Sequence, residues 1–301
     1  MHLLNKLVVA SLPAVPRPVV RYFASRYIAG DSLEQAVQCV RRLNGEEQVM
    51  ATMDVLGEDI FSRAEADHAR QDSEQVLHAI ARENLDSNLS IKLTSLGLKL
   101  DKDFCRDNVR KILRVASSYG NFVRIDMEDS SCTSDTIDIF RSLQAEHTNC
   151  GIVLQAYLRR TEADVRALLA AGANVRLCKG IYKEPEEIAF QGREEVQRNF
   201  LLLLRMLLEN GCYVGIATHD SVLVDGANAL IRDMGLGREA YEFQMLLGVR
   251  PELRRALVRE GHRLRLYVPF GEHWYAYSVR RFKENPEVAG YVFRALFRPN
   301  V

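Results

Sequence analysis

Residues 152–180 read IVLQAYLRRTEADVRALLAAGANVRLCKG. Two short apolar segments, residues 152–158 and 175–180, flank a stretch with helical periodicity, residues 161–170. A strand, a helix and a second strand in succession are typical of an α/β protein. The stretch therefore predicts an α/β fold.

Similar segments recur along the chain at intervals of about 25 to 35 residues, separated by longer helical stretches. Eight strands alternating with helices over about 250 residues favour a (β/α)8 barrel of the TIM type. A doubly wound parallel sheet is the structural alternative. The predicted strands are residues 49–55, 90–95, 122–128, 152–158, 175–180, 213–218, 241–247 and 264–268.

Two of the predicted helices have clear end signals. Ser32 followed by Gln35 is a capping box that opens a helix over residues 33–43, and a long helix over residues 184–209 ends at Asn210-Gly211. Since no linker divides the chain, we expect one domain. Residues 1–45 form an N-terminal arm and extra helices that pack on the barrel, and residues 46–301 form the barrel itself.

The composition excludes several classes of protein. The 301 residues are 47% hydrophobic, and 40 Lys plus Arg balance 40 Asp plus Glu, so no nucleic-acid-binding surface is expected. The six cysteines form no CxxC pair, which favours reduced thiols in the cytoplasm. No window of roughly 18 apolar residues predicts a transmembrane helix. Residues 1–30 are basic, and we interpret them as an ordered arm in preference to a targeting segment.

Two glycine motifs are interpreted as structural. Residues 235–240, GLGREA, match a dinucleotide-binding pattern but precede a predicted strand, so a turn is expected. Residues 30–33, GDSL, resemble a hydrolase serine block but open a helix. The histidines do not cluster at metal-ligand spacing, and no HExxH, phosphate loop or GxSxG occurs, so no metal site is predicted.

Polar and charged side chains gather at the carboxyl ends of the predicted strands. A (β/α)8 barrel carries its active site on this face. Buried charges there need partners or a ligand, although a structural ion-pair network of Lys92, Asp126 and Arg176 is the alternative. In chain order the residues are Asp54, Glu58, Lys92, Asp126, Glu128, Gln155, Arg176, Lys179, Thr218, His219, Asp220, Gln244 and Tyr267.

The last predicted helix follows the eighth strand and presents a charged face. Tyr277, Arg280, Arg281 and Glu284 lie at spacings i, i+3, i+4 and i+7. Two guanidinium groups near a barrel mouth form a clamp for a carboxylate. A solvated face, in which Glu284 pairs with one of the arginines, is the alternative.

Eight sequence blocks, in order, resemble the proline dehydrogenase family. The resemblance extends from about Leu12 to Pro299 and indicates the monofunctional form of the family. It implies a distorted (β/α)8 barrel that binds FAD, with FMN as an alternative, non-covalently and without a Rossmann fold. The blocks are TMDVLGE, SIKLTSLG, VRIDMEDS, VLQAYLRRT, VRLCKGIYKEP, GIATHD, EFQMLLGV and LYVPFGEHWYAYSVRRFKENP.

The resemblance implies the oxidation of L-proline to 1-pyrroline-5-carboxylate, the first step of proline catabolism, by hydride transfer to the flavin. The reduced flavin then passes electrons to a membrane quinone, which implies peripheral contact with the inner face of the membrane. A pyrroline-carboxylate dehydrogenase acting downstream is a further implied partner.

The resemblance also implies roles for individual residues, with Asp126 and Arg176 as the expected catalytic pair. Asp126 orients Lys92 or the arginines, and Arg176 lies beside flavin N5. The proline carboxylate is held by Lys92, Arg280 and Arg281, and its ring is surrounded by Tyr182, Leu246, Tyr267 and Tyr277. The flavin is contacted by Gln155 and Arg176 at the isoalloxazine, by Met127, Lys179, Gly180 and Ile181 along its edge and ribityl chain, and by Thr218, His219 and Glu284 at the ribose, pyrophosphate or adenine.

Two positions depart from the family pattern. Ile181 stands where alanine is usual, and Cys178 stands where an aliphatic residue is usual. We expect the larger side chain at position 181 to tighten the pocket or to move the flavin edge.

Two other functions compete with this interpretation. A barrel lyase would use Lys92 or Lys179 as a nucleophile, which requires a lowered pKa; Asp126 beside Lys92 is expected to raise it. A catalytically silent barrel would serve as a binding or regulatory protein. The candidate residues present at every expected position argue against it.

Overall fold

Parallel strands close into a complete barrel. The computed structural model describes residues 17–57, 60–275 and 277–279. The strands are β1 (Met50–Val55), β2 (Ser87–Ile91), β3 (Val123–Ile125), β4 (Cys150–Gln155), β5 (Val175–Cys178), β6 (Val214–Ala217), β7 (Tyr241–Leu246) and β8 (Leu264–Phe270). Each strand pairs with the next one along the chain, and β8 pairs with β1. The closure confirms the predicted barrel and excludes the doubly wound sheet.

Helices surround this barrel. They are α1 (Arg17–Ala24), α2 (Leu33–Glu46), α3 (Arg63–Arg82), α4 (Lys102–Ser118), α5 (Thr133–Gln144), α6 (Thr161–Leu169), α7 (Arg193–Glu209), α8 (Ser221–Asp233) and α9 (Pro251–Arg259). Because α1 and α2 precede β1, the prediction of extra N-terminal helices is confirmed. Residues 274–275 and 277–279 are helical after β8. Across the described part of the chain, no helix has the length and apolarity that crossing a membrane requires.

Local sequence signals explain several of these boundaries. The Ser32 hydroxyl accepts a hydrogen bond from the Gln35 backbone N–H, and the two residues form the predicted capping box of α2. Residues 235–240 form a turn and a short 3-10 helix that lead into β7, as the position of the glycines predicts.

Several predicted boundaries are wrong: the strands predicted over residues 122–128 and 152–158 end at Ile125 and Gln155, and two other errors have a visible cause. The helix predicted over residues 184–209 begins at Arg193, because Glu184 accepts hydrogen bonds from the Ser130 N–H and hydroxyl, both at 2.7 Å, and residue 189 pairs with Leu158. The second strand lies at Ser87–Ile91 instead of 90–95, because a 3-10 helix starts at Thr94, whose N–H and hydroxyl bind the Glu128 carboxylate.

The barrel interior contains polar side chains. Successive strand residues point to opposite faces, so one strand can place polar side chains on one face and apolar side chains on the other. In β3, Val123 and Ile125 lie in the apolar core, whereas the intervening Arg124 donates to the carbonyl oxygens of Ile152 and Asn174. Arg176 in β5 contacts Gln244 in β7. A contact between non-adjacent strands crosses the centre of the barrel, so these side chains fill its interior.

The N-terminal segment packs on the helical turn that follows β8. Val20, Ala24, Tyr27 and Ile28 form an apolar cluster with Leu56, Trp274 and Tyr277. The Ala29 N–H donates to the Pro269 carbonyl oxygen at 2.9 Å. This packing fixes Tyr277 beside the carboxyl ends of the strands.

Candidate active site

A cavity of about 470 Å³ lies at the carboxyl ends of the strands. This volume is in the range of small-molecule sites. The structure brings together most of the predicted site residues around it: Lys92, Asp126, Met127, Gln155, Arg176, Lys179, Gly180, Ile181, Tyr182, His219, Leu246, Tyr267 and Tyr277.

Asp126 organises the charged groups of this cavity. Its Oδ1 accepts hydrogen bonds from Arg176 Nη1 and the Ser90 hydroxyl, both at 2.7 Å, and its Oδ2 accepts one from the Tyr267 hydroxyl at 2.7 Å. Lys92 Nζ lies 3.8 Å from the same Oδ2. Although burial alone raises it, the pKa of Asp126 is lowered by Arg176 and Lys92. Asp126 is therefore an ionised anchor for two cations and a phenol.

Lys92 is buried between two carboxylates. Its ammonium donates to Asp54 Oδ1 at 2.7 Å and to the Tyr267 hydroxyl oxygen at 3.3 Å. Burial by itself lowers the lysine pKa, but Asp54 and Asp126 outweigh it and raise the pKa of Lys92 above its ordinary value. Lys92 therefore offers the cavity a permanent positive charge, and it is a poor nucleophile.

Tyr267 covers both cations from the side of β8. The Lys92 ammonium lies 5.9 Å and the Arg176 guanidinium carbon 5.2 Å from the centre of its ring. Burial and the neighbouring Asp126 and Asp54 raise the pKa of Tyr267 well above 10. The side chain is a neutral phenol that packs against the cations and donates to Asp126.

Gln155 ends β4 with its amide fixed. Its Nε2 donates to the Glu128 carbonyl oxygen at 2.8 Å, so the amide carbonyl is the acceptor that the side chain can offer a ligand. Both residues are buried.

The turn after β5 requires a glycine. Gly180 has a φ of +109°, and a Cβ there would lie 2.1 Å from the Tyr157 ring. This turn brings Ile181 and Tyr182 to the cavity, and Ile181 is 44% exposed. Lys179, just before the glycine, donates to Asp220 Oδ2 at 3.3 Å. A change at Gly180 would displace the residues predicted to line the flavin edge.

Cys178, the second departure from the family pattern, also lines the cavity. Burial raises the pKa of its thiol to about 11. At neutral pH the side chain is an uncharged thiol, so it acts as a small apolar group in the wall.

Of the two predicted site residues after β6, His219 lines the cavity and Thr218 does not. His219 lines the cavity, and its Nε2 accepts the Leu246 backbone N–H at 2.9 Å, which places the ring proton of the neutral form on Nδ1. Thr218 is buried and does not line it; its hydroxyl accepts the Asp220 N–H at 3.1 Å. The structure therefore places Thr218 behind the cavity wall, where it supports the turn that carries His219.

Part of the predicted carboxylate clamp lies outside the described residues. These positions are Arg280 and Arg281; the predicted cofactor contact Glu284 and the strand-end candidate Glu58 also lie outside the described residues. Tyr277, on the same predicted helix, is buried and lines the cavity.

Three further residues join the site without a predicted role. Asp54 pairs with Lys92, Ser90 donates to Asp126, and Gln244 accepts from Arg176 Nε. Each lies on the inward face near the end of a strand. Asp54 and Gln244 were already candidates at strand ends, so Ser90 is the residue that the sequence analysis missed, and its inward position in the strand alternation is the signal that could have included it.

A parallel barrel with a charged cavity at the carboxyl ends of its strands belongs to the class of (β/α)8 enzymes. The family model described as proline dehydrogenase matches residues 36–294. The chain therefore belongs to the proline dehydrogenase family. The prediction of an enzyme of this family is confirmed.

Individual relatives agree with this membership. The chain is 39% identical over 278 residues to proline dehydrogenase 1 of Bacillus subtilis subsp. natto, covering 92% of each chain. It is 35% identical over 300 residues to proline dehydrogenase of Deinococcus radiodurans, covering 97% of this chain and 96% of the relative.

Solved structures show the same architecture. Proline utilization A from Bdellovibrio bacteriovorus, inactivated by N-propargylglycine, superposes with a TM-score of 0.83 at 27% identity. The match covers 88% of this chain and 32% of the other, so this chain spans about a third of that larger protein. Proline utilization A from Corynebacterium freiburgense, at 24% identity and a TM-score of 0.77, shows the shared fold.

Proposed function

We propose that this chain oxidises L-proline to 1-pyrroline-5-carboxylate with a non-covalent FAD. The observation that carries the proposal is the buried group of Lys92, Asp126 and Arg176 at the cavity. When bound, the flavin would accept the hydride from the ring carbon next to nitrogen and pass the electrons on to a quinone. The protein supplies binding, orientation and charge.

The donors and acceptors of the cavity fit a flavin. Gln155 would offer a fixed amide carbonyl to a ring N–H, and Arg176 would offer a guanidinium on the N5 side, where its positive charge would stabilise the anionic reduced ring. The turn of Lys179, Gly180 and Ile181, with Met127, provides the wall along the edge and ribityl chain. FMN shares the isoalloxazine and ribityl groups, so it is the alternative cofactor; His219, and Glu284 beyond the described residues, would meet the remainder of FAD.

The substrate site lies on the opposite wall of the cavity in this proposal. Lys92 binds the proline carboxylate, joined by Arg280 and Arg281, which lie outside the described residues. Tyr267, Leu246 and Tyr277 enclose the pyrrolidine ring, with Tyr182 nearby. The ionised Asp126 holds Lys92, Tyr267 and Arg176 in one arrangement, so the substrate meets a preorganised set of donors.

Neither candidate lysine suits the alternative function, a barrel lyase. Its leading candidate is Lys92, and the two carboxylates beside it raise its pKa. Lys179 is paired with Asp220. A Schiff-base mechanism needs a lysine with a lowered pKa.

The test is the visible spectrum of the purified protein, followed by anaerobic addition of L-proline. We expect flavin absorbance that bleaches with L-proline and not with D-proline or lactate. A yellow protein that does not bleach would contradict the proposal that L-proline is the substrate. Ile181 would then be the first residue to change to alanine. A colourless protein that takes up no added FAD would favour the silent barrel.

The remaining proposals follow from the electron acceptor. Transfer to a membrane quinone requires peripheral contact with the inner membrane face, for which the basic residues 1–30 are the candidate surface. The product would pass to a pyrroline-carboxylate dehydrogenase. We also propose the division into an N-terminal region, residues 1–45, and a catalytic barrel, residues 46–301.

A further inference from the structure

Two residues of β7, Glu242 and the cavity-lining Gln244, connect Arg176 to the amino-terminal end of the barrel. Glu242 is buried and accepts hydrogen bonds from Arg265 Nε at 2.7 Å and from the Tyr213 hydroxyl at 2.9 Å. Gln244, two residues further on, donates from Nε2 to Glu242 Oε1 at 2.6 Å. The same amide accepts from Arg176 Nε through its Oε1. A continuous chain of hydrogen bonds thus runs from Arg265 to Arg176.

The direction of the Gln244 amide is determined by its two neighbours. A carboxylate accepts hydrogen bonds and a guanidinium donates them. If the amide were rotated by 180°, its oxygen would face Glu242 and its NH2 group would face Arg176 Nε. Both contacts would then be repulsive, so the carboxylate of Glu242 holds the amide carbonyl toward Arg176.

Glu242 stays ionised in this position. Burial alone raises a carboxyl pKa, but Arg265 and hydrogen bonds from Gln244 and Tyr213 lower the pKa of Glu242 below its ordinary value. The acceptor character on which the Gln244 orientation depends is therefore permanent at neutral pH.

Arg176 is held by hydrogen bonds on two sides. Nε donates to Gln244 and Nη1 donates to Asp126, so the plane of the guanidinium is fixed. Among the described residues, these bonds leave Nη2 as the donor group for a ligand. Gly215 on β6 makes room for this arrangement, since a Cβ there would lie 2.5 Å from Gln244 Nε2.

We propose that Glu242 and Gln244 are positioning residues for the reaction: Glu242 orients the Gln244 amide, and Gln244 orients Arg176 against the flavin. The inference rests on the proposed function. Neither residue takes part in the chemistry. Their effect is to keep one positive charge where reduction of the flavin generates negative charge.

The experiment compares three variants with the wild type. Gln244→Met keeps the length of the side chain and removes both hydrogen bonds. Glu242→Gln replaces the carboxylate with an amide, so the Gln244 amide is no longer held in one orientation. Tyr213→Phe is the matched control, because it removes a different hydrogen bond from the same carboxylate and leaves the Gln244 contact in place. The readouts are the flavin midpoint potential, and kcat and KM for proline.

We expect Gln244→Met to lower kcat about tenfold while KM changes less than about twofold. The equilibrium constant for flavin reduction falls about tenfold, which is about 30 mV for a two-electron couple. Glu242→Gln shifts the potential in the same direction by a smaller amount. Tyr213→Phe loses thermal stability, and its potential and kcat match those of the wild type.

The inference is wrong if Gln244→Met and Tyr213→Phe have the same potential and kcat, or if Gln244→Met changes KM alone. If Gln244→Met does not fold, Gly215→Ala tests the inference with the same measurements, because its added methyl group displaces the Gln244 amide. A wild-type midpoint potential in Gly215→Ala overturns the inference. A wild-type protein that binds no flavin, or is not bleached by proline, fails earlier and refutes the proposed function instead.

Discussion

Two cations of the barrel interior, Lys92 at the mouth and Arg124 at the floor, have opposite electrostatic surroundings. At the mouth, Lys92 lies between Asp54 and Asp126, and these carboxylates raise the pKa of Lys92. At the floor, Arg124 donates to the carbonyl oxygens of Ile152 and Asn174. Burial, with Arg176 and Arg265 nearby, lowers the pKa of Arg124 to about 9.

The difference separates a binding site from a structural one. Amide and carbonyl oxygens accept from Nη1 and Nη2 of Arg124 but do not neutralise its charge, and its buried Nε has no hydrogen-bond partner among the described residues, so this cation is held at an electrostatic cost. The carboxylates at the mouth are shared among several donors, so Lys92 and Arg176 are both paired with carboxylates beside an open cavity. Charge at the mouth is available to an anionic ligand, whereas charge at the floor serves the fold.

Asp126→Ala removes the shared carboxylate at the mouth and has the largest expected effect. Arg176, Lys92 and Tyr267 lose their common anchor, and a small displacement of reacting groups can cost about 100-fold in rate. We expect kcat/KM for proline to fall by about 100-fold or more in steady-state assays. Asp138→Asn, which alters an exposed surface pair with Lys102, is the control and retains wild-type kinetics. Near-normal activity of Asp126→Ala would refute the anchoring role.

Asn174→Ala changes the surroundings of Arg124 at the floor. It removes the Oδ1 acceptor of Arg124 Nη2, a hydrogen bond to a buried charged group. We expect the free energy of unfolding to fall by about 1.5–3 kcal/mol in urea titrations. Because the mouth is untouched, kcat/KM should stay within about twofold of the wild type. A large loss of activity without a loss of stability would mean that the floor also takes part in the reaction.

The barrel was predictable because its signals are local and repeated. Apolar segments separated by helical stretches mark the strands, and the capping box at Ser32 marks the start of α2. The incorrect start of the helix before β6 has a long-range cause, since Glu184 binds Ser130 in another loop. No local pattern contains that contact.

The site was predictable only in part for the same reason. Residues such as Lys92 and Asp126 stand at strand ends, where a barrel places its chemistry. Their partners are distant in sequence: Asp54 pairs with a lysine 38 residues away, and Gln244 with an arginine 68 residues away. Which inward side chains meet depends on the barrel geometry. Thr218, one residue before a cavity residue, shows that adjacency in sequence does not decide exposure to the cavity.

In the proposed substrate site, the positive charge of Lys92 binds the substrate carboxylate. The most direct measurement is the rate constant of anaerobic flavin reduction by L-proline and by L-prolinamide, which lacks the carboxylate, in the wild type, Lys92→Met and Lys99→Met. We predict that the wild type and Lys99→Met, whose lysine is 59% exposed, prefer L-proline by about 100-fold or more. In Lys92→Met this preference should fall at least about tenfold. An unchanged preference in Lys92→Met would show that Lys92 does not bind the substrate carboxylate.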